Sequence, residues 1–167
     1  MTEHETFSPE LLPRRGELNA WLLALAATAG LVALRYFGAV PTWAWFFVAF
    51  LYFSAISISL GNWMDRQTRL QLFPDGIAYE NGLRRVRLAW SEIRQVRVLP
   101  ARWGKSVQVL GETVHFEFKT LGEVKFRGEL RGRTGFAQGE AILDAIIRAA
   151  GLLAARREEL YTIYSRE

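Results

Sequence analysis

Of the side chains most often used as nucleophiles, general bases or soft metal ligands, this chain has two histidines and no cysteine. Without cysteine there is no disulfide, thiolate nucleophile or thiolate metal site. His4 stands in a polar N-terminal stretch with no companion at ligand spacing. His115 alternates with Glu117 on what reads as the outer face of a strand, a setting for a cross-strand ion pair rather than a general base. The zinc-protease, hydrolase-elbow and phosphate-loop signatures are absent. Gly128, Gly132, Gly135 and Gly139 lead into a helix start, where phosphate can bind. Their spacing fits no fingerprint, so a flexible connection is expected there. The sequence predicts no catalytic residue, no metal site and no cofactor, hence no enzyme.

The charged groups that do cluster are basic. Between Arg66 and Lys105 nine Lys and Arg stand against three Asp and Glu, whereas residues 106–167 are balanced. The candidate lipid-facing set is Arg66, Arg69, Arg85, Arg87, Arg94, Arg97, Arg102 and Lys105, with Trp103 as an aromatic anchor among them. Beside an anionic bilayer each Lys or Arg near the surface contributes about 1 kcal/mol. The competing reading is a solvated sheet face behind an ordinary positive helix flank, with Trp103 capping the fold. Basic strands with aromatics also suit nucleic acid, but Phe116, Phe118 and Phe126 fall on the expected inward face, where they cannot stack on bases. No nucleic-acid partner is expected.

The element that must position this set is the stretch from Leu18 to Leu60. Leu18–Leu34 contains no charged residue, and neither does Trp43–Leu60; Gly38-Ala39-Val40-Pro41-Thr42 separates them. Each nearly spans or spans a bilayer's hydrocarbon core as a helix, so the pair reads as a transmembrane hairpin. Trp21, Tyr36, Trp43, Trp45 and Trp63 lie near the expected interfaces. Ala26-x-x-x-Gly30 and Ser57-x-x-x-Gly61 offer small faces for helix pairing. A buried hairpin of a soluble domain would leave too few residues to cover two such helices. A cleaved signal peptide fits poorly, because the preceding tail is acidic and the apolar run is too long.

Arg14 and Arg15 precede the first helix, Arg66 and Arg69 follow the second, and the turn carries no Lys or Arg. The expectation is an integral protein of the inner (cytoplasmic) membrane with two spans and both termini cytoplasmic. Arg35, near the turn, counts against it.

Beyond the hairpin the pattern changes to period two. Arg69–Phe73 and Ile77–Glu80 read as strands around Pro74-Asp75-Gly76, with Gly76 available for positive φ. Asn81-Gly82 is a hairpin signal leading into Arg84–Trp90, where Val86, Leu88 and Trp90 oppose Arg85 and Arg87. Ser91-Glu92-Ile93 breaks the run and Arg94–Leu99 resumes it. Val107–Leu110, the His115–Lys119 alternation and Glu123–Gly128 supply further strands. Ala137–Ala150 carries Ile142, Leu143, Ile146 and Ile147 at helical spacing, with Gly151 as C-cap. Leu152–Tyr164 reads as a last helix whose Leu153, Leu160, Ile163 and Tyr164 form a candidate partner-binding stripe.

The strand series, the Trp90-Ser91-Glu92-Ile93 step and the closing amphipathic helix resemble the bacterial pleckstrin-homology-like domains of small membrane proteins, over Arg69–Gly151. The resemblance implies two bent antiparallel sheets in an open barrel capped by the C-terminal helix, and a binding or scaffolding role without catalysis. Arg85-Val86-Arg87 matches the basic spacing of lipid-binding relatives but lacks their upstream Lys. The expected plan is a cytoplasmic tail (1–17), a two-helix transmembrane hairpin (18–61), an α+β PH-like domain (62–151) and a helical extension (152–167). The expected partners are the bilayer itself and a membrane protein; a reader of anionic headgroups through the basic sheet face is the alternative.

Overall fold

The computed structural model describes residues 5–38, 40–157 and 161–166, with side chains described in all but 126 and 155–157. His4, Ala39 and Leu160 lie outside the described residues. The chain divides into two compact units, residues 13–64 and residues 1–12 with 65–167.

The first unit is the hairpin. Helix α1 is Arg15–Phe37 and α2 is Thr42–Gln67. At 1.5 Å per residue they are about 35 and about 39 Å long, and both are long and apolar enough to cross a membrane. α2 continues through residues 62–67, which the expected plan gave to the PH-like domain: no Pro interrupts the helix there.

The helices meet along Glu17, Trp21, Ala24 and Thr28 of α1 and Val48, Tyr52, Ala55, Ser59 and Asn62 of α2. These positions step by four and three, the period at which two α-helices keep one face together. Ala24 and Ala55 are fully buried and let the backbones approach, while polar pairs join the seam. The Trp21 indole N–H donates to Ser59 Oγ at 2.9 Å, Thr28 Oγ1 to the Tyr52 hydroxyl at 3.2 Å and Asn62 Nδ2 to Glu17 at 3.0 Å. The expected small faces are not this seam. Ala26, Gly30, Ser57 and Gly61 are exposed, and a Cβ at Gly30 or Gly61 would meet nothing within 4 Å. The other sides of both helices present Leu, Phe and Trp outward.

In the second unit an N-terminal strand, β1 (Glu5–Phe7), pairs with β2 (Thr68–Phe73), followed by β3 (Gly76–Asn81) and β4 (Arg85–Ala89), in one antiparallel sheet of order β1-β2-β3-β4. The stretch expected to be an N-terminal tail (1–17) therefore contributes a sheet strand, too short for its alternation to register. A 3₁₀ turn, Trp90–Glu92, carries the chain into β5 (Ile93–Pro100). There Glu92 accepts the Ala89 amide at 2.8 Å, and the Trp90 indole donates to the Pro74 carbonyl at 3.0 Å. With β6 (Lys105–Gly111) and β7 (His115–Lys119), β5 builds a second sheet.

β8 (Gly122–Phe126) and β9 (Glu129–Thr134) form a separate ribbon. Residues 129–134, expected within a Gly-rich connector, are thus a strand, turned by Arg127 and Gly128 at positive φ. α3 (Gly139–Ala150) then packs Ile142, Leu143 and Ile146 on the core, and Gly151 ends it in the left-handed region at φ 63°. Leu70, Ile77, Val86 and Leu88 from the first sheet meet Ile93, Val96, Val107, Val109, Phe116 and Phe118 from the second. Strand alternation puts these side chains inward. The result is the expected open two-sheet fold with a closing helix.

Among the described residues the expected terminal helix is replaced by strands. Leu153–Arg157 and Thr162–Ser165 are strands β10 and β11, and β11 pairs with β5, giving a five-stranded sheet of order β10-β11-β5-β6-β7. The open edge of β5 offers a ladder of backbone hydrogen bonds that an isolated helix of this length cannot match. Arg166 fastens the end, donating to the carbonyls of Ala150 at 3.1 Å and Trp90 at 2.6 Å.

Gly76 serves space rather than φ. A Cβ there would lie 2.3 Å from the Leu88 carbonyl oxygen, and its φ is not positive.

Candidate functional site

Alternation along β2, β3 and β4 sends one set of side chains into the core and the other to the opposite face. On that face the register aligns Arg69 with Glu80 and Arg85, then Gln71 with Ala78 and Arg87. With Phe73 they line a depression of about 420 Å³. Arg85 donates to Glu80 at 2.8 Å, and that bond holds its guanidinium above the usual arginine range. Arg87 donates to Asp75 at 3.1 Å and lies 5.1 Å over the Phe73 ring. Arg69 is exposed at the start of β2, two residues past the end of α2. The arrangement can hold an anion between guanidiniums on an aromatic floor.

The other candidates are elsewhere. Arg66 is in the last turn of α2. Arg94 and Arg97 extend from β5 in the second sheet, Arg94 paired with Glu112 and Arg97 bonded to Gln95 at 3.2 Å. Arg102 stacks over Trp103 at 5.0 Å on the β5–β6 turn, and Lys105 pairs with Glu140 of α3 at 2.9 Å. Trp103 is half-buried, and its backbone crowds the place of a Cβ on Gly122, as a capping turn would. One basic run in sequence is dispersed because the chain changes sheets at the Trp90 step. Arg69, Arg85 and Arg87 share one face of the first sheet.

The expected partner-binding stripe does not form either. Leu153 is 58% exposed on β10, whereas Ile163 and Tyr164 are neighbours on β11 and therefore point to opposite faces. Tyr164 packs against the core. Leu160 lies outside the described residues.

His115 is exposed on β7 opposite Leu110, and no acid faces it across the ladder. Glu117 instead accepts Ser106 Oγ at 2.7 Å and Gln108 Nε2 at 3.4 Å. Among the described residues no three His, Cys, Asp or Glu are placed to hold a metal. Phe116 and Phe118 are 2% and 3% exposed, so neither can stack on a base.

A second cavity, of about 210 Å³, was not foreseen. Glu10 and Leu11 of the tail, Thr68, Tyr79, Glu117 and Gly135 contribute to its walls. Burial raises the Tyr79 phenol above its usual pKa. The tail reaches this cavity because Glu10 and Gly135 exchange backbone hydrogen bonds of 2.8 and 3.2 Å. An isolated bridge of one residue pair leaves no periodicity to read.

Residues 67–141 match the family model of the bacterial PH domain. No curated protein matches the chain, and no solved structure does.

Proposed function

We propose that this chain, whose residues 67–141 form a bacterial PH domain, is a membrane-anchored binding or scaffold protein, an accessory or assembly component of a membrane protein complex. The observation that carries the reading is that the chain enters and leaves the hairpin through neighbouring strands of one sheet. β1 precedes the helices, β2 follows them, and the two are neighbours in one sheet. β2 begins at the residue after α2, and four residues separate Glu10 from the start of α1. Such short connections suit a platform at the bilayer and oppose a domain that reaches far from it. The reading is non-enzymatic: it gives the domain a binding surface and assigns no residue to chemistry. It involves no nucleic acid.

The same pairing supports two crossings, since an odd number would separate β1 from β2. The four arginines at the helix ends, Arg14, Arg15, Arg66 and Arg69, favour the cytoplasm for that side and the inner membrane as the location. Extraction in a mild detergent followed by native gel electrophoresis tests the function. Co-migration with other membrane proteins is the expected result, and migration as a single species without partners would contradict it.

The shared face of Arg69, Arg85 and Arg87 favours a second reading, recognition of anionic headgroups by the sheet. In that reading, zwitterionic proteoliposomes bearing the full chain capture anionic vesicles in a salt-sensitive way. The triple reversal Arg69→Glu, Arg85→Glu, Arg87→Glu is expected to weaken capture by roughly a hundredfold or more, from about 1 kcal/mol per arginine lost. Unchanged capture removes this reading.

A further inference from the structure

We infer that residues 5–12 are a displaceable strap, seated where an extended segment of a partner protein adds to β2 as a strand, and that the favoured segment carries a basic residue in the place of Glu10. The inference rests on the binding reading above and names the surface it uses.

The strap is lightly held. Its paired part is three residues, Glu5, Thr6 and Phe7 opposite Leu72, Gln71 and Leu70. Among the described residues its further backbone hydrogen bonds are the two between Glu10 and Gly135. Phe7 packs against the core, whereas Leu11 and Leu12 are 40% and 41% exposed. A segment with so few bonds and so little burial opens locally at a fraction of the free energy of global unfolding.

What lies beneath suits a strand. With the strap lifted, β2 presents a row of backbone N–H and C=O groups, the template on which extended peptides add. The place of Phe7, opposite the buried Leu70, takes an aromatic side chain. The cavity of about 210 Å³ sets the remaining chemistry. Pro9, Glu10 and Leu11 wall it on the side of the tail, so the tail spans this space without filling it. Asp65 and Glu117 are within electrostatic reach of the Tyr79 phenol, and Lys119 is within reach of Asp65. The sheets and the end of α2 thus bring two carboxylates and one ammonium to the cavity, and Glu10 adds a third carboxylate. A basic side chain there replaces a like charge by an opposite one, a gain comparable to a surface ion pair.

Disulfide trapping tests the exchange, since the chain has no cysteine of its own. Thr6 and Gln71 are directly opposite in the ladder, a separation a disulfide can bridge. The full chain with Gln71→Cys, in mild detergent, is incubated with peptides of residues 5–12 carrying Thr6→Cys. The expected mixed disulfide forms roughly tenfold faster than with a scrambled peptide, and roughly fivefold faster again when the peptide also carries Glu10→Lys, a second gain that shrinks in high salt. The chain with Glu112→Cys, in the β6–β7 turn, should trap the intact and scrambled peptides alike. Equal rates for those two peptides at position 71, or no gain from Glu10→Lys, overturn the inference. Oxidised Thr6→Cys/Gln71→Cys holds the strap in place. Purified in that state and added to detergent-solubilised membranes, it should migrate without partners on a native gel until it is reduced. Co-migration that persists with the strap locked defeats this inference alone. Absence of partners in both states defeats the scaffold reading and this inference with it.

Discussion

Phe116→Ala is expected to remove about 3–5 kcal/mol from the stability of the strand domain, the usual cost of emptying a buried phenyl site. Phe116 is 2% exposed, and its ring joins the two sheets. It stacks on Tyr79 of the first sheet with centroids 5.2 Å apart and 10° between planes, and it adjoins Phe118 at 6.5 Å. Phe118 in turn meets Phe136 edge-on at 5.8 Å, just before α3. No residue in this row is long enough to fill the space a lost ring would leave without abandoning its own contacts. Against a typical domain stability of about 5–15 kcal/mol, a loss of this size leaves little or nothing. The membrane-bound full chain should then become sensitive to protease throughout residues 68–157 and remain in the membrane fraction, because the hairpin has its own seam. Loss of the chain from the membrane fraction would show that the two units depend on each other for stability.

Gly135→Ala is expected to cost about 2–3 kcal/mol or more. Gly135 has φ +99°, which L side chains rarely adopt, and an added Cβ would lie 2.3 Å from the Thr120 carbonyl oxygen and 2.9 Å from that of Lys119. Both obstacles are backbone, so neither can swing aside. The junction must move, and with it the two hydrogen bonds to Glu10 and the bond from the Phe136 amide to the Lys119 carbonyl. Faster amide exchange at Glu10, with cleavage near residues 8–12, is the expected signature. Gly128→Ala is the control: φ is +83° there too, but nothing lies within 4 Å of the added Cβ. It should cost about 1 kcal/mol and leave the tail docked. Equal effects from the two substitutions would mean that φ alone matters and the tail bridge contributes nothing.

What could be read from the sequence was whatever carried a long or regular signal. Two charge-free runs announced the helices, and Val86 and Leu88 against Arg85 and Arg87 announced a strand with one face inward. The stripe in residues 142–147 with Gly151 behind it announced α3 and its end. The resemblance to PH-like domains, read over Arg69–Gly151, is met by the family match over residues 67–141.

What was missed depended on partners far along the chain. Leu153, Ile163 and Tyr164 fit a helical stripe as well as two short strands, and only the free edge of β5 decides between them. β9 is Glu-Leu-Arg-Gly-Arg-Thr on a ribbon largely outside the core, so no apolar alternation marks it. β1 has three residues and acquires its meaning from β2, which lies beyond both helices. The basic run reads as one surface only where neighbours in sequence are also neighbours in space. The register instead unites Arg69 with Arg85 and Arg87 and sends Arg94, Arg97, Arg102 and Lys105 elsewhere. The helix seam was visible in principle: Glu17, Trp21, Ala24 and Thr28 repeat by four and three, but their mixed polarity hid the stripe.

The central claim of the proposal is that the strands before and after the apolar hairpin lie on the same side of a bilayer. The absence of natural cysteine makes a direct measurement simple. Single variants Glu5→Cys in β1, Val40→Cys between the helices and Glu112→Cys in the β6–β7 turn are treated in intact cells with a maleimide that cannot cross the membrane. The expected result is labelling at position 40 alone, with positions 5 and 112 reacting only after the cells are opened. Labelling of position 5 but not 112, or of 112 but not 5, would place the two ends on opposite sides and contradict the claim.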